Sequence, residues 1–116
     1  MAITGAHVLL YSTDADALRT VLRDAFGWNH VDAGEGWLIF ALPPAEVAVH
    51  PALVPTHELS LMCDDIVATR AELVAKGIEF KDEPQDRGWG IVTTMALPGG
   101  VDMLLYQPRH PTATGS

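Results

Sequence analysis

The stretch ALPGGVDMLLYQP, at positions 96–108, has a counterpart earlier in the chain, ALPPAEVAVHP, at positions 41–51. Both stretches open with Ala-Leu-Pro, pass through a turn and close with an apolar strand that ends in proline. Similarity that recurs in the same order along a chain is typical of a duplicated structural unit. These two stretches therefore predict that the chain consists of two related halves.

A second pair of positions supports the duplication. His7 precedes Asp14 by seven residues, across a predicted strand and the start of a predicted helix, and Glu58 precedes Asp65 by the same seven. Each half is thus predicted to run strand, helix, strands.

The spacing of apolar residues and the turn residues predict the elements of the first half. Apolar residues recur three and four positions apart behind Thr13, with Asp16 as a capping partner, which predicts an amphipathic helix that ends near Gly27. The predicted elements are a strand at AHVLLYS (6–12), the helix within DADALRTVLRDAFGW (14–28), and strands at GWLIFALP (36–43) and EVAVHP (46–51), joined by a tight turn at Pro44 and Ala45.

The second half repeats that order. Asp64 is the predicted N-cap of its helix, and Gly77 is the predicted stop. The predicted elements are a strand at HELSLMC (57–63), the helix within DDIVATRAELVAKG (64–77), and strands at GIEF (77–80), WGIVTTMALP (89–98) and VDMLLYQP (101–108).

Length and composition set the domain organisation. The chain has 116 residues, of which 48% are hydrophobic, and this size suits one domain with one core. Within the single domain, 1–116, we expect modules at 1–51 and 57–108, a proline-containing linker at 52–56, and a polar, frayed tail at 109–116.

The charge of the chain restricts its partners. Fifteen acidic residues against seven basic ones give a net charge of -8, which argues against nucleic acid and against anionic membrane surfaces as partners. No apolar run reaches the roughly 18 to 20 residues of a membrane-spanning helix, and the N-terminal MAITGAHVLLYSTDAD (1–16) lacks the basic region of an export signal. A cytoplasmic location is therefore expected.

The lone Cys63 lies in an apolar run and is expected to be a small buried hydrophobe.

Three stretches carry a resemblance to a known family: AHVLLYSTDADAL (6–18), HELSLMCDDIVATRAELVAKGIEF (57–80) and LPGGVDMLLYQP (97–108). In their order and spacing they resemble the vicinal oxygen chelate superfamily, which includes glyoxalase I, bleomycin resistance proteins, fosfomycin resistance proteins and extradiol dioxygenases. The resemblance covers the chain to about residue 108. It implies an α+β fold in which two tandem βαβββ modules with curled mixed sheets form a cleft, commonly in a homodimer.

The resemblance also implies a set of metal ligands, because the metal-using members take one ligand from the first strand and one from the last strand of each module. The two first-strand ligands fall on His7 and Glu58, whose imidazole nitrogen and carboxylate oxygen suit zinc, iron, manganese or nickel. The last-strand position of the second module is Leu104, which cannot coordinate a metal. A third ligand could come from Glu46 or His50. The chain therefore supplies two of four ligands, or three, and a divalent metal is an open expectation.

Aromatic and charged side chains are the candidates for contact with an organic ligand. Trp89 lies between two glycines on a predicted loop that could cover a cleft, and Arg87 beside it could meet an anionic group or pair with neighbouring carboxylates. Tyr106, in the closing strand, is a candidate hydroxyl donor into the cleft. Trp37 is a further candidate aromatic contact.

Two functions from different classes follow. The first is a protein that binds a small organic molecule in the cleft between modules, as bleomycin resistance members do, without a complete metal site; Leu104 and the supply of Trp and Tyr favour it. The alternative is a glyoxalase- or dioxygenase-type enzyme in which a divalent ion on His7 and Glu58 polarises adjacent oxygens of a substrate. Between the two lies a metal-free enzyme with Glu58 as the catalytic general base.

Overall fold

The structure is a computed structural model that describes residues 6–114. The outer ends of the predicted first module and of the predicted tail, at 1–5 and 115–116, lie outside the described residues. The elements are α1 (Ala15–Thr20), which continues as a π-helical turn (Val21–Ala25), β1 (His30–Asp32), β2 (Leu38–Phe40), β3 (Ser60–Met62), α2 (Ile66–Ala75), β4 (Glu79–Phe80), β5 (Gln85–Asp86), β6 (Gly90–Leu97) and β7 (Val101–Pro108).

The second half of the chain forms a five-stranded sheet in the order β3-β7-β6-β4, with β5 also paired to β6. β3 runs parallel to β7, whereas β6 runs antiparallel to β7, β4 and β5. Met103 and Leu105 of β7 are buried and alternate with less buried residues, as a strand with one face on the core requires. This half therefore contains strand, helix and strands in the predicted order.

The turn between β6 and β7 depends on two glycines. Gly99 and Gly100 have φ angles of +80° and +79°, a region that is costly for a residue with a Cβ atom. Leu97 and Val101 pair directly across this turn. The two glycines therefore allow β7 to fold straight back along β6.

The first half is less complete. β1 and β2 form a two-stranded antiparallel hairpin. Strands were expected at 6–12 and 46–51, but within the described residues neither segment is hydrogen-bonded into a sheet. Val47 and Val49 are 92% and 96% exposed. These two strand predictions are wrong for a single chain.

The turn sequence gives a physical reason for the departure of residues 46–51. Residues 44–45 are Pro-Ala where residues 99–100 are Gly-Gly, and no residue from 41 to 45 has a positive φ. The proline ring fixes φ near about −65°, and it also holds the preceding residue in an extended conformation. The predicted tight turn therefore does not form, and the chain leaves β2 without folding back on it.

The core lies between the two helices and strands β6 and β7. Its buried members are Leu18, Leu22, Ala25, Ile66, Leu73, Ile78, Met95, Leu97, Met103 and Leu105. Cys63 packs against this cluster and is half-buried, and burial raises the pKa of its thiol, as expected for a structural cysteine.

No helix within residues 6–114 is both long enough and apolar enough to cross a membrane.

Both helix caps lie one residue further along the chain than predicted. Asp14, rather than Thr13, caps α1, and its carboxylate accepts a hydrogen bond from the backbone N–H of Ala17 at 3.2 Å. Asp65, rather than Asp64, caps α2. In each case two neighbouring residues have suitable side chains, and the local backbone conformation selects one of them.

Candidate functional site

Clefts lined by residues of the described range, 6–114, hold several of the predicted site residues. The larger cleft, of about 610 Å³, is lined by Ala25, Phe26, Trp28, Leu42, Pro43, Pro44, Ala45, Glu46, Ala48, Glu58, Leu59, Ser60, Leu61, Met62, Thr69, Glu72, Leu73, Lys76, Leu105 and Tyr106. The smaller cleft, of about 500 Å³, lies between residues 6–12 and 37–42, with side chains of α1 also in its lining.

Aromatic rings from two parts of the fold line the larger cleft. Phe26 and Trp28 pack together, with ring centroids 5.2 Å apart, and Tyr106 contributes from β7. The Tyr106 ring contacts two further rings: Trp89, edge to face with centroids 5.1 Å apart, and His110, with centroids 5.8 Å apart. We call Trp89, Tyr106 and His110 the aromatic corner. Such contacts hold the Tyr106 ring in one orientation beside the cleft.

A hydrogen bond fixes the polar end of the aromatic corner. The Tyr106 hydroxyl lies 3.1 Å from Nε2 of His110, and Nδ1 of the same ring lies 2.8 Å from the carbonyl oxygen of Pro111. Since that carbonyl can only accept, Nδ1 carries the hydrogen in the neutral ring, and Nε2 accepts from the tyrosine hydroxyl. Burial and the nearby charge of Glu46 raise the pKa of Tyr106. The hydroxyl therefore stays protonated.

Backbone contacts position the aromatic corner. Gly90 is buried, and a Cβ atom there would lie 3.0 Å from both the Tyr106 ring and the carbonyl oxygen of Gln107. The carbonyl oxygen of Trp89 accepts a hydrogen bond of 2.9 Å from the backbone N–H of Arg109. The absence of a side chain at Gly90 thus lets β6 approach Tyr106 closely.

The charge of the larger cleft is negative. Three carboxylates, those of Glu46, Glu58 and Glu72, share the lining with one ammonium group, that of Lys76. Lys76 Nζ lies 3.5 Å from Glu72 Oε1 and donates to the carbonyl oxygen of Ala25 at 3.3 Å, so its charge is already engaged. Glu58 is exposed and has no hydrogen bond or ion pair within residues 6–114. A cationic group in this cleft would therefore meet uncompensated carboxylate charge.

The predicted metal ligands are not gathered in one place. His7 lines the smaller cleft, whereas Glu58 and Glu46 line the larger one. His50 is exposed, with Nδ1 2.7 Å from the carbonyl oxygen of Pro51. Among residues 6–114, no group of three His, Cys, Asp or Glu side chains is arranged to hold a metal ion. The donors of a single chain therefore do not fit the ligand set implied by the resemblance.

The other predicted ligand contacts are also divided between the clefts. Trp37 lines the smaller cleft, where the Arg19 guanidinium lies 5.1 Å from the centroid of its ring. Arg87 is exposed in the turn between β5 and β6, and its backbone N–H donates to the carbonyl oxygen of Gly90. Tyr106 lines the larger cleft. Trp89 is not in that lining but packs against the Tyr106 ring.

Sequence reasoning did not find the role of His110. Two residues after β7 contact the lining of the larger cleft: the backbone N–H of Ala113 donates to Glu46 Oε1 at 2.8 Å, and His110 contacts Tyr106. The sequence does contain a signal for this contact. His110 follows Tyr106 by four residues, and prolines at 108 and 111 flank the Arg109-His110 pair. Prolines at 108 and 111 restrict the chain that joins these rings.

The sequence matches no protein-family model and no curated protein. Solved structures are similar to it over most of their length. TnmS3, an antibiotic binding protein from Streptomyces sp. CB03234, has 25% sequence identity and a TM-score of 0.67, with 93% of this chain and 98% of that chain covered.

Two further structures extend the comparison. Lactoylglutathione lyase from Agrobacterium tumefaciens has 17% identity and a TM-score of 0.64, with 92% of this chain and 96% of that chain covered. A member of the glyoxalase/bleomycin resistance protein/dioxygenase superfamily from Sphaerobacter thermophilus DSM 20745 has 21% identity and a TM-score of 0.63, with 92% of this chain and 99% of that chain covered. The protein therefore has the vicinal oxygen chelate fold, the fold of the glyoxalase/bleomycin resistance protein/dioxygenase superfamily.

Proposed function

We propose that the protein binds a small organic molecule that carries both an aromatic ring and a cationic group, in the larger cleft, without chemical conversion. One observation carries the proposal: the cleft combines aromatic walls with three carboxylates and a single, already engaged ammonium group. The rings in its lining would contact the aromatic part of the ligand, and the carboxylates would attract its charge.

Two further facts support binding over catalysis. TnmS3, at 25% identity, is an antibiotic binding protein. In this chain, His7 and Glu58 line different clefts, so the pair that would form the core of a metal site is not assembled in a single chain. Metal-dependent catalysis of the glyoxalase or dioxygenase type is the alternative. The cytoplasmic location stays a prediction.

We also propose that the binding form is a homodimer. The described surface carries large apolar side chains in the open, among them Tyr11, Leu53 and Val54. The accessible surface is 8386 Å², whereas a folded monomer of 12.5 kDa exposes about 6,200 Å². Two such chains could bury about 4,400 Å² between them, a value within the range of obligate homodimers.

Fluorescent probes of opposite charge test the ligand class. Berberine is a permanently cationic planar aromatic molecule, and 1-anilinonaphthalene-8-sulfonate is an anionic one. We expect berberine to bind more tightly, and its affinity to fall about threefold in Glu58→Gln because an exposed charge contact is removed. Affinity is measured from probe fluorescence and tryptophan quenching at low and high salt.

Glu79→Gln is the matched control, since Glu79 is an exposed carboxylate of β4 outside the lining of the larger cleft. It should leave berberine affinity unchanged. Equal binding of the two probes, or equal effects of the two substitutions, would contradict a cation-selective cleft.

Elemental analysis of protein purified without chelator tests the metal-dependent alternative. A metal content close to one tightly bound divalent ion per chain would establish a metal-dependent protein, provided that both His7→Ala and Glu58→Ala lose the ion. Protein that takes up no added zinc, manganese, nickel or iron, but still binds berberine, would support simple binding.

A further inference from the structure

We propose that the cationic group of the ligand is a primary or secondary ammonium, and that one of its N–H groups donates a hydrogen bond to the hydroxyl oxygen of Tyr106. This assignment rests on the proposed function, because it specifies the ligand class of the larger cleft. It separates ammonium ions that carry hydrogen from quaternary ions of the same charge, which have no hydrogen to donate.

The direction of the Tyr106 hydroxyl carries the proposal. In the neutral His110 ring, Nδ1 donates to the carbonyl oxygen of Pro111 at 2.8 Å, so Nε2 accepts from the Tyr106 hydroxyl at 3.1 Å. A tyrosine hydroxyl has a single hydrogen, and His110 takes it. The hydroxyl can therefore contact a ligand only through the lone pairs of its oxygen.

The Tyr106 hydroxyl lies near a carboxylate of the cleft. Tyr106 and Glu46 both line the larger cleft, and burial together with the charge of Glu46 raises the pKa of Tyr106. Residues 110–113 join the two side chains, since His110 contacts the hydroxyl and the backbone N–H of Ala113 donates to Glu46 Oε1 at 2.8 Å. Three residues of chain span at most about 11 Å. A cation attracted by Glu46 therefore lies near the Tyr106 oxygen.

The positive charges around this position are already paired. Arg109, next to His110, forms an ion pair with Asp86. Lys76 is the single ammonium group in the described lining, and its Nζ lies 3.5 Å from Glu72 Oε1. Because each positive charge has a carboxylate beside it, neither opposes the approach of an ammonium ion to Tyr106.

A hydrogen bond to Tyr106 would distinguish cations of equal charge. Hydrogen bonds from a charged donor are stronger than those between neutral groups. A quaternary ammonium presents methyl groups instead, and it interacts with the lining only through its charge and through the aromatic rings. The aromatic corner thus adds selectivity to the attraction that the carboxylates supply.

Two probes with the same ring and the same charge test the hydrogen bond: 1-naphthylmethylammonium and its N,N,N-trimethyl derivative. Isothermal titration calorimetry at pH 7 gives the ratio of their dissociation constants. In Tyr106→Phe, which keeps the ring and loses only the hydroxyl, we expect the preference for the primary ammonium to fall about tenfold. Both probes are measured on the same protein, so a partial loss of folded protein cancels in the ratio.

Tyr11→Phe is the matched control. It removes the other tyrosine hydroxyl of the chain, and Tyr11 is exposed and outside the lining of the larger cleft. The ratio should not change in this variant.

His110 acts as a positioning residue, and two substitutions separate this role from packing. His110→Phe removes the acceptor and frees the hydroxyl hydrogen, so the preference for the primary ammonium should fall. His110→Gln supplies an amide oxygen that can accept from the hydroxyl, so the preference should be kept. An unchanged ratio in His110→Phe would overturn the direction assigned to the hydroxyl.

The outcomes separate this hydrogen bond from the proposed function. If both probes bind but the ratio is the same in the wild type and in Tyr106→Phe, the hydrogen bond is wrong and cation binding stands. Equal falls in Tyr11→Phe and Tyr106→Phe would also overturn the bond. If neither probe binds and berberine does not bind either, the proposed function itself fails.

Discussion

Gly99 is the residue on which the turn of the second half most depends, because it combines a positive φ with a close approach. A Cβ atom there would collide with Ser12 Oγ and lie 2.5 Å from the backbone nitrogen of Asp14. The same region holds two hydrogen bonds, from Thr13 N to Gly99 O at 3.1 Å and from Ser12 Oγ to Pro98 O at 2.8 Å. The turn therefore also fixes the chain where it enters α1.

We expect Gly99→Ala to lower the free energy of unfolding by more than backbone strain alone explains. Strain at a positive φ costs about 1–3 kcal/mol, and the steric overlap adds about 1–3 kcal/mol. Gly88→Ala is the control, because Gly88 has a φ of +84° but a Cβ atom there would have nothing within 4 Å. Urea unfolding measures the free energy of unfolding of both variants. An equal decrease in Gly99→Ala and Gly88→Ala would show that the close approach at Gly99 has no energetic effect.

Asp82 should make stability depend on acid pH. Burial opposes its ionisation, but hydrogen bonds from Thr94 N at 2.9 Å and from the hydroxyls of Thr93 and Thr94 outweigh burial and lower its pKa. A lowered folded-state pKa gives stability that is present above the unfolded value of about 3.9 and is lost as pH falls through the folded value.

Asp82→Asn should therefore reduce stability at pH 7 and flatten its fall toward pH 3. The measurement is urea unfolding at both pH values. Asp64→Asn, at an exposed carboxylate, should reproduce the wild-type pH profile. A wild-type profile in the Asp82 variant would mean that these hydrogen bonds do not favour the ionised form.

At the scale of single elements, the helix of the second half and all of its strands except β5 were predictable from sequence. β7 spans Val101–Pro108 as predicted, and α2 lies within the predicted 64–77, because apolar periodicity and flanking glycines are local signals. β1 and β5 were missed, since His-Val-Asp and Gln-Asp are largely polar and show no run of apolar residues. Residues 46–51 do have a strand pattern, but pairing depends on the turn before them, and a pattern does not specify a partner.

The roles of the candidate site residues stay predictions, and the structure gives their positions. Glu58 and Tyr106 were singled out from the sequence, and both line the larger cleft. His7 and Trp37 lie in the smaller cleft. The candidate residues are divided between two clefts because the sheet of the first half is incomplete. His110 could not be assigned from its polar, proline-flanked surroundings, since its contact with Tyr106 arises from the path of the tail.

The cap of α2 offers a test at the element scale. Asp65→Ala should lower the free energy of unfolding by about 1 kcal/mol, because its carboxylate accepts from Ala68 N at 3.1 Å at the helix start. Asp64→Ala, one residue earlier, should cost little. Thermal or urea unfolding of the two variants measures the difference. A larger decrease in stability in Asp64→Ala than in Asp65→Ala would mean that Asp64 caps the helix.

At the scale of the whole molecule, the proposed homodimer should make stability depend on protein concentration. If folding is coupled to association, each tenfold rise in concentration should increase the apparent free energy of unfolding by about 1.4 kcal/mol. Denaturant unfolding over a hundredfold range of concentration measures this directly. A midpoint that does not move would contradict obligate pairing.

The turn between β6 and β7 has a consequence for the order of events during synthesis. Ser12 Oγ donates to the carbonyl oxygen of Pro98, and these two residues lie 86 positions apart in the sequence. The hydrogen bonds that fix the entry into α1 can therefore form only after the chain has been synthesised as far as the glycine turn, although α1 is the first helix to leave the ribosome.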